Sequence, residues 1–177
     1  MKQLVLDLGL AAGPSLNNFC IGRNAALVGH LKLWLGQTGS GARPGSSVPI
    51  YFWGTAGSGK THLLNAVRLA LLAQGQQVGW LDAAVVPAAA FDAGWSAVLM
   101  DDVQAFDAAR QQVAFNWFVN AQTQQIDVLA TGSLPPTDLK LRDDLRTRLG
   151  WGHVFALQAL DEQIGRASCR ERVSSVV

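Results

Sequence analysis

Residues 54–61 read GTAGSGKT and follow directly on the apolar run Val48-Pro49-Ile50-Tyr51-Phe52-Trp53. The octet has the spacing G-x-x-x-x-G-K-[ST] of a phosphate-binding loop, with the flanks that motif requires. A buried strand precedes it, and residues 62–72 form a helix-like run after it. Gly57 and Gly59 can take positive φ without a Cβ penalty, which lets the backbone wrap an anion. The amide hydrogens opening the helix then face the phosphates. Gly54, Thr55, Ala56, Gly57, Ser58, Gly59, Lys60, Thr61 and His62 are therefore the expected nucleotide contacts. Lys60 reaches the β- and γ-phosphates in this arrangement, and the Thr61 hydroxyl ligates Mg²⁺.

The surrounding pattern builds a sheet around that loop. Residues 77–81 (QVGWL), 96–100 (SAVLM), 127–131 (DVLAT) and 153–157 (HVFAL) read as further strands. Residues 23–35 carry apolar side chains at helical spacing, and residues 107–124 form a helix with a buried stripe of Val113, Trp117, Phe118 and Ala121. Strands alternating with helices predict an α/β fold with a five-stranded parallel sheet between helices. The third strand ends in Asp101-Asp102. It delivers Asp101 beside Thr61 as a second Mg²⁺ ligand, while Asp102 can orient or deprotonate an attacking water.

Composition narrows the partners. The 177 residues are 49% hydrophobic with a net charge of +1, enough for one α/β core and too little charge to drive the chain onto nucleic acid or a membrane. No run is long enough to span a bilayer, and no basic segment with an apolar core opens the chain, so the expected location is cytoplasmic. Cys20 and Cys169 have no second Cys or His at metal-ligand spacing, and His30, His62 and His153 are scattered.

Five blocks in register carry a resemblance: LNNFCIGRN, WGTAGSGKTHLL, VLMDDVQAF, ATGSLPP and LRTRLGWG. They resemble, in order and over residues 1–163, the AAA+ domain of the bacterial replication initiator family DnaA, and most closely its short Hda-type paralogues. Such paralogues bind ADP or ATP with Mg²⁺ and promote hydrolysis of DnaA-bound ATP while attached to the β sliding clamp of DNA polymerase III. The resemblance implies DnaA and the clamp as partners at the replisome. It assigns residues 1–10 to a clamp-binding peptide and residues 11–163 to the AAA+ domain. Gln3, Leu4, Leu6 and Leu8 match the clamp peptide, in which an extended segment docks alternate leucines in apolar pockets. Taken alone, the same residues read as an edge strand of the domain.

Three further positions follow from the resemblance. Arg148 aligns with the arginine finger, a guanidinium that stabilises charge developing at a partner's γ-phosphate. Arg142 and Arg146 neighbour it as docking residues. Thr131-Gly132-Ser133 occupies the sensor 1 position, with Ser133 where DnaA relatives commonly carry an acidic group, so weak or absent hydrolysis in the chain's own site is expected. Asn17, Phe19 and Gly22 match the segment over the adenine, and Phe19 reads equally as a core residue. Residues 82–95 contain no Lys or Arg, so direct sequence-specific DNA binding is not expected. From residue 164 the chain reads IGRASCRERV, which resembles a translated sequencing adapter. Residues 164–177 are accordingly expected to be a non-native tail standing where the family's helical lid begins. Two rival readings remain: an autonomous initiator or helicase-loader ATPase, and a non-catalytic clamp-tethered adaptor.

Overall fold

The computed structural model describes residues 13–36, 48–84 and 89–159. The clamp-peptide positions Gln3, Leu4, Leu6 and Leu8, and residues 160–177 with Cys169, lie outside them. Five strands, β1 (Ile50–Trp53), β2 (Val78–Leu81), β3 (Ala97–Met100), β4 (Asp127–Gly132) and β5 (His153–Ala156), form one sheet in the order β2-β3-β4-β1-β5. Every pairing is parallel. The expected α/β architecture is therefore the one observed.

Alternation along the strands divides the core into two layers. Ile50, Phe52, Ala97, Leu99 and Leu129 face α1 (Ala25–Trp34) and α2 (Lys60–Ala73). Tyr51, Val98, Met100, Val128 and Ala130 face α3 (Ala108–Thr123) and α4 (Asp143–Leu149). The period of two sends adjacent residues to opposite faces, and both faces are covered, which is why the middles of the central strands, such as Val98-Leu99-Met100 and Val128-Leu129-Ala130, are apolar on both sides. Each Leu or Phe fully covered here stabilises the fold by about 1.5–3 kcal/mol.

The helices agree with the sequence pattern in all but detail. In α1 the stripe is Leu27, Val28, Leu31 and Trp34, all buried. In α3 the fully buried set is Ala114, Trp117, Phe118 and Ala121, whereas Val113 only packs at the margin. Asp107 caps α3 by accepting the Arg110 N–H at 2.8 Å, satisfying one of the orphan amides of the first turn. Histidines that are far apart in sequence meet at the β5 edge, where the His30 and His153 rings pack at 4.5 Å. Burial and the neighbouring His153 hold the His30 imidazole below its ordinary pKa.

Candidate functional site: a phosphate loop and a distant arginine

At the carboxyl end of β1 the chain turns through Gly54 and enters α2 at Lys60. Gly57 and Gly59 take φ of 77° and 97°, the left-handed region that glycine occupies without strain. No side chain caps α2, and its first ladder bond runs from the Leu63 N–H to the Gly59 carbonyl at 3.0 Å. The Lys60, Thr61 and His62 amides therefore precede the helical ladder. They line a cleft of about 290 Å³ with Ala56, Gly57, Gly59 and Asp102. Uncapped amides at the positive end of a helix dipole make that cleft an anion site.

Lys60 is buried, and its ammonium donates to the Gly54 and Thr55 carbonyls at 3.0 and 3.1 Å. Asp101 is buried at the end of β3 and accepts hydrogen bonds from the Thr61 hydroxyl at 2.7 Å and the Thr131 hydroxyl at 2.6 Å. The Thr131 oxygen also accepts the Asp102 N–H at 2.8 Å. Thr131 opens the Thr131-Gly132-Ser133 segment picked out in the sequence, and its hydroxyl, rather than that of Ser133, is the one bonded to the acidic pair. Its bridge helps hold Asp102 at φ 48°, a sparsely populated conformation for a non-glycine residue. The Asp102 Oδ1 lies 3.8 Å from Lys60 Nζ and has no hydrogen-bond partner, and the buried Ser58 hydroxyl is likewise unpartnered.

Paired Thr61 and Asp101 oxygens facing a phosphate cleft suit Mg²⁺, which takes one or two protein ligands and completes its shell with water and phosphate. The orphaned Asp102 oxygen at the same cleft is consistent with that occupant. Thr61 and Asp101 are the residues that would hold the ion.

Ser133 follows β4, and its backbone N–H donates to Gln104 Oε1 at 3.0 Å. The Tyr51 hydroxyl steadies the same turn by donating to the Leu134 carbonyl at 2.7 Å. Gly132 makes that bond possible, because a Cβ there would come within 2.0 Å of the Tyr51 oxygen. Burial, and then the Asp102 carboxylate, push the Tyr51 hydroxyl far above the ordinary phenol pKa of about 10. A raised acid pKa in the fold means that the unfolded chain releases this proton first, so stability present below pH 10 is lost as pH rises above it. Tyr51 is the sole tyrosine. Its tyrosinate absorbance is expected to appear together with alkaline unfolding rather than before it. Titration of Tyr51 at its ordinary pKa with the circular dichroism still native would contradict this.

Phe19 is buried against the loop: a Cβ on Gly59 would lie 2.7 Å from its ring, and its centroid is 5.8 Å from that of His62. His62 Nε2 also meets Asn18 Oδ1 at 3.0 Å. The segment therefore braces the loop from outside.

Arg148 is not in this cleft. It belongs to the last turn of α4, a helix of seven residues pinned by buried Leu145 and Leu149. The chain passes from there through Trp151 to His153, whose N–H bonds the Pro49 carbonyl at 2.9 Å. Pro49 precedes β1, whereas the phosphate loop follows it. Four residues of strand, about 13 Å at ~3.3 Å each, thus separate the two ends. Arg148 Nη1 donates to Gln122 Oε1 at 2.9 Å, at the end of α3 that leads into β4, also at the amino edge of the sheet. Its guanidinium carbon stands 4.9 Å from the Trp151 ring centre and 5.2 Å from that of Phe115.

The arginines beside it differ. Arg142 binds Asp144 through Nε and Nη2 at 2.9 and 2.7 Å, and Arg146 binds Asp143 at 2.8 Å. Among the described residues, no carboxylate oxygen lies within 4.0 Å of the Arg148 guanidinium. Arg148 is thus the unneutralised cation of this helix.

A parallel five-stranded sheet with a phosphate loop after β1 and an acidic pair after β3 is the α/β arrangement of a P-loop domain. No protein-family model matches the chain. Domain III of the Thermotoga maritima replication initiation protein DnaA is similar to it, with a TM-score of 0.73 at 20% identity over 98% of this chain and 76% of that one. DnaA from Aquifex aeolicus, solved with AMPPCP, gives a TM-score of 0.71 at 22% identity over 91% of this chain. The present chain spans 54% of that DnaA structure. A DnaC helicase loader gives 0.56 at 15% identity over 82% of this chain and 97% of that one. The chain has the AAA+ fold of DnaA domain III. No helix among the described residues is long and apolar enough to cross a membrane.

Proposed function

We propose that this chain is a regulator of DNA replication initiation of the Hda type. It binds ADP or ATP with Mg²⁺ at Gly54 to Thr61 and Asp101, docks on the β sliding clamp through Gln3, Leu4, Leu6 and Leu8, and presents Arg148 to ATP held by DnaA. The nucleotide in its own site acts mainly as a brace, since Ser133 supplies an uncharged hydroxyl where an acidic group would be a stronger partner for water. Its place of work is then the cytoplasm, at the replisome.

One observation carries this reading. Arg148 is an unneutralised cation at the amino edge of the sheet, while the chain's own phosphate loop is at the carboxyl edge. A finger so placed serves phosphate on another molecule, where such a group typically contributes roughly 10³ to 10⁵ in rate. The AMPPCP-bound DnaA structure, similar in fold, supports a nucleotide as ligand.

The clamp half of the proposal has its own test. Immobilised β clamp is expected to retain the full chain and to lose it when residues 1–8 are removed. Equal retention of both forms would remove the clamp peptide and favour the reading of residues 3–8 as an edge strand.

A second reading, an autonomous ATPase akin in fold to the helicase loaders, draws on Asp102. Its unpartnered Oδ1 stands beside Lys60 at the mouth of an intact loop, as a general base would. That reading requires turnover of ATP by the chain without DnaA.

A further inference from the structure

The geometry points to Gln122 as a positioning residue for Arg148, one that fixes the guanidinium while leaving its charge unspent. The inference rests on the finger reading above and extends it to a residue of α3.

The neighbouring Arg142, just before α4, and Arg146, on it, are both paired with carboxylates. Arg148 instead meets the neutral carboxamide of Gln122 and aromatic faces from Phe115, Trp151 and, at 6.0 Å, Phe118. A carboxamide oxygen accepts one of the five guanidinium N–H groups and cancels no charge. Aromatic faces attract the cation and likewise leave its net charge intact. The α3 partners belong to a helix packed on the sheet through Ala114, Trp117, Phe118 and Ala121, so Arg148 is held against a packed element. Four N–H groups remain for a phosphate, and the side chain gives up less conformational freedom on meeting it. A glutamate at 122 would hold the same geometry with a bidentate ion pair, as Asp144 does for Arg142, but would spend the charge the phosphate needs.

Full-length Gln122→Ala and Gln122→Glu chains separate these contributions. Both replacements are good helix formers at a partly exposed position, so both are expected to fold with thermal midpoints close to wild type. The readout is hydrolysis of DnaA-bound ATP on clamp-loaded DNA as a function of chain concentration, with Arg148→Ala alongside. Each Gln122 variant is expected to lower the maximal rate by about tenfold to a hundredfold with the half-saturating concentration unchanged. Gln122→Ala should also raise the fast mobility of the Arg148 Nε–H in ¹⁵N relaxation, and Gln122→Glu should not. Either variant at the wild-type maximal rate, with Arg148→Ala inactive, overturns the role of Gln122 and leaves the finger reading standing. Arg148→Ala at the wild-type rate overturns both.

Discussion

Replacing Arg148 with alanine is expected to reduce stimulated hydrolysis of DnaA-bound ATP by about 10³ to 10⁵-fold, the range an arginine finger contributes. The size follows from timing: the guanidinium meets full phosphate charge only as that charge develops in the transition state, in a site from which water is excluded. The fold should survive the change. Arg148 is partly exposed, and α4 is anchored by Leu145 and Leu149 rather than by it. Binding of nucleotide in the chain's own loop should be unchanged, because the loop follows β1 and Arg148 lies beside the residues preceding it. Calorimetry with ADP on the same variant checks that separation. Loss of ADP binding along with stimulation would mean that Arg148 acts through the fold.

Lys60→Ala is expected to weaken ADP or ATP binding by about two to three orders of magnitude. Its ammonium now bridges the Gly54 and Thr55 carbonyls within the cleft, from which it can turn onto phosphate without leaving the loop. Removing one partner of a desolvated charged pair costs about 2–5 kcal/mol. Wild-type protein at a hundredfold excess of nucleotide over Kd gains about 2.7 kcal/mol of stability, and the variant should gain little of it. Thermal unfolding with and without nucleotide measures the difference. An equal upward shift in both proteins would contradict the assignment of Lys60.

Much of the fold and of the phosphate loop is legible in the sequence. The loop spacing names its own geometry: Gly57 and Gly59 adopt the positive φ the motif needs, and Asp101 arrives at Thr61 because a strand of fixed rise ends there. All five strands announced themselves through apolar runs bounded by polar turns. What escaped depends on contacts between distant segments. Tyr51 and Gln104 look like ordinary strand and loop residues until the sheet order sets β4 between β3 and β1. Helix α4 is too short for its period to stand out, and its start is fixed by Arg142 folding onto Asp144. Nor could spacing reveal that His30 and His153 are neighbours, since α1 and β5 are joined only in space. The proposal of Arg148 as a finger came from resemblance alone; that no carboxylate among the described residues meets it is a property of the packed structure.

The most direct measurement is single-turnover decay of labelled ATP. In one arm the label is pre-bound to DnaA and mixed with clamp-loaded DNA and this chain; in the other it is given to the chain alone. Hydrolysis in trans predicts rapid conversion to ADP in the first arm and intact ATP over the same interval in the second. Equal decay in both arms, or decay in the first that persists undiminished with Arg148→Ala, would contradict it.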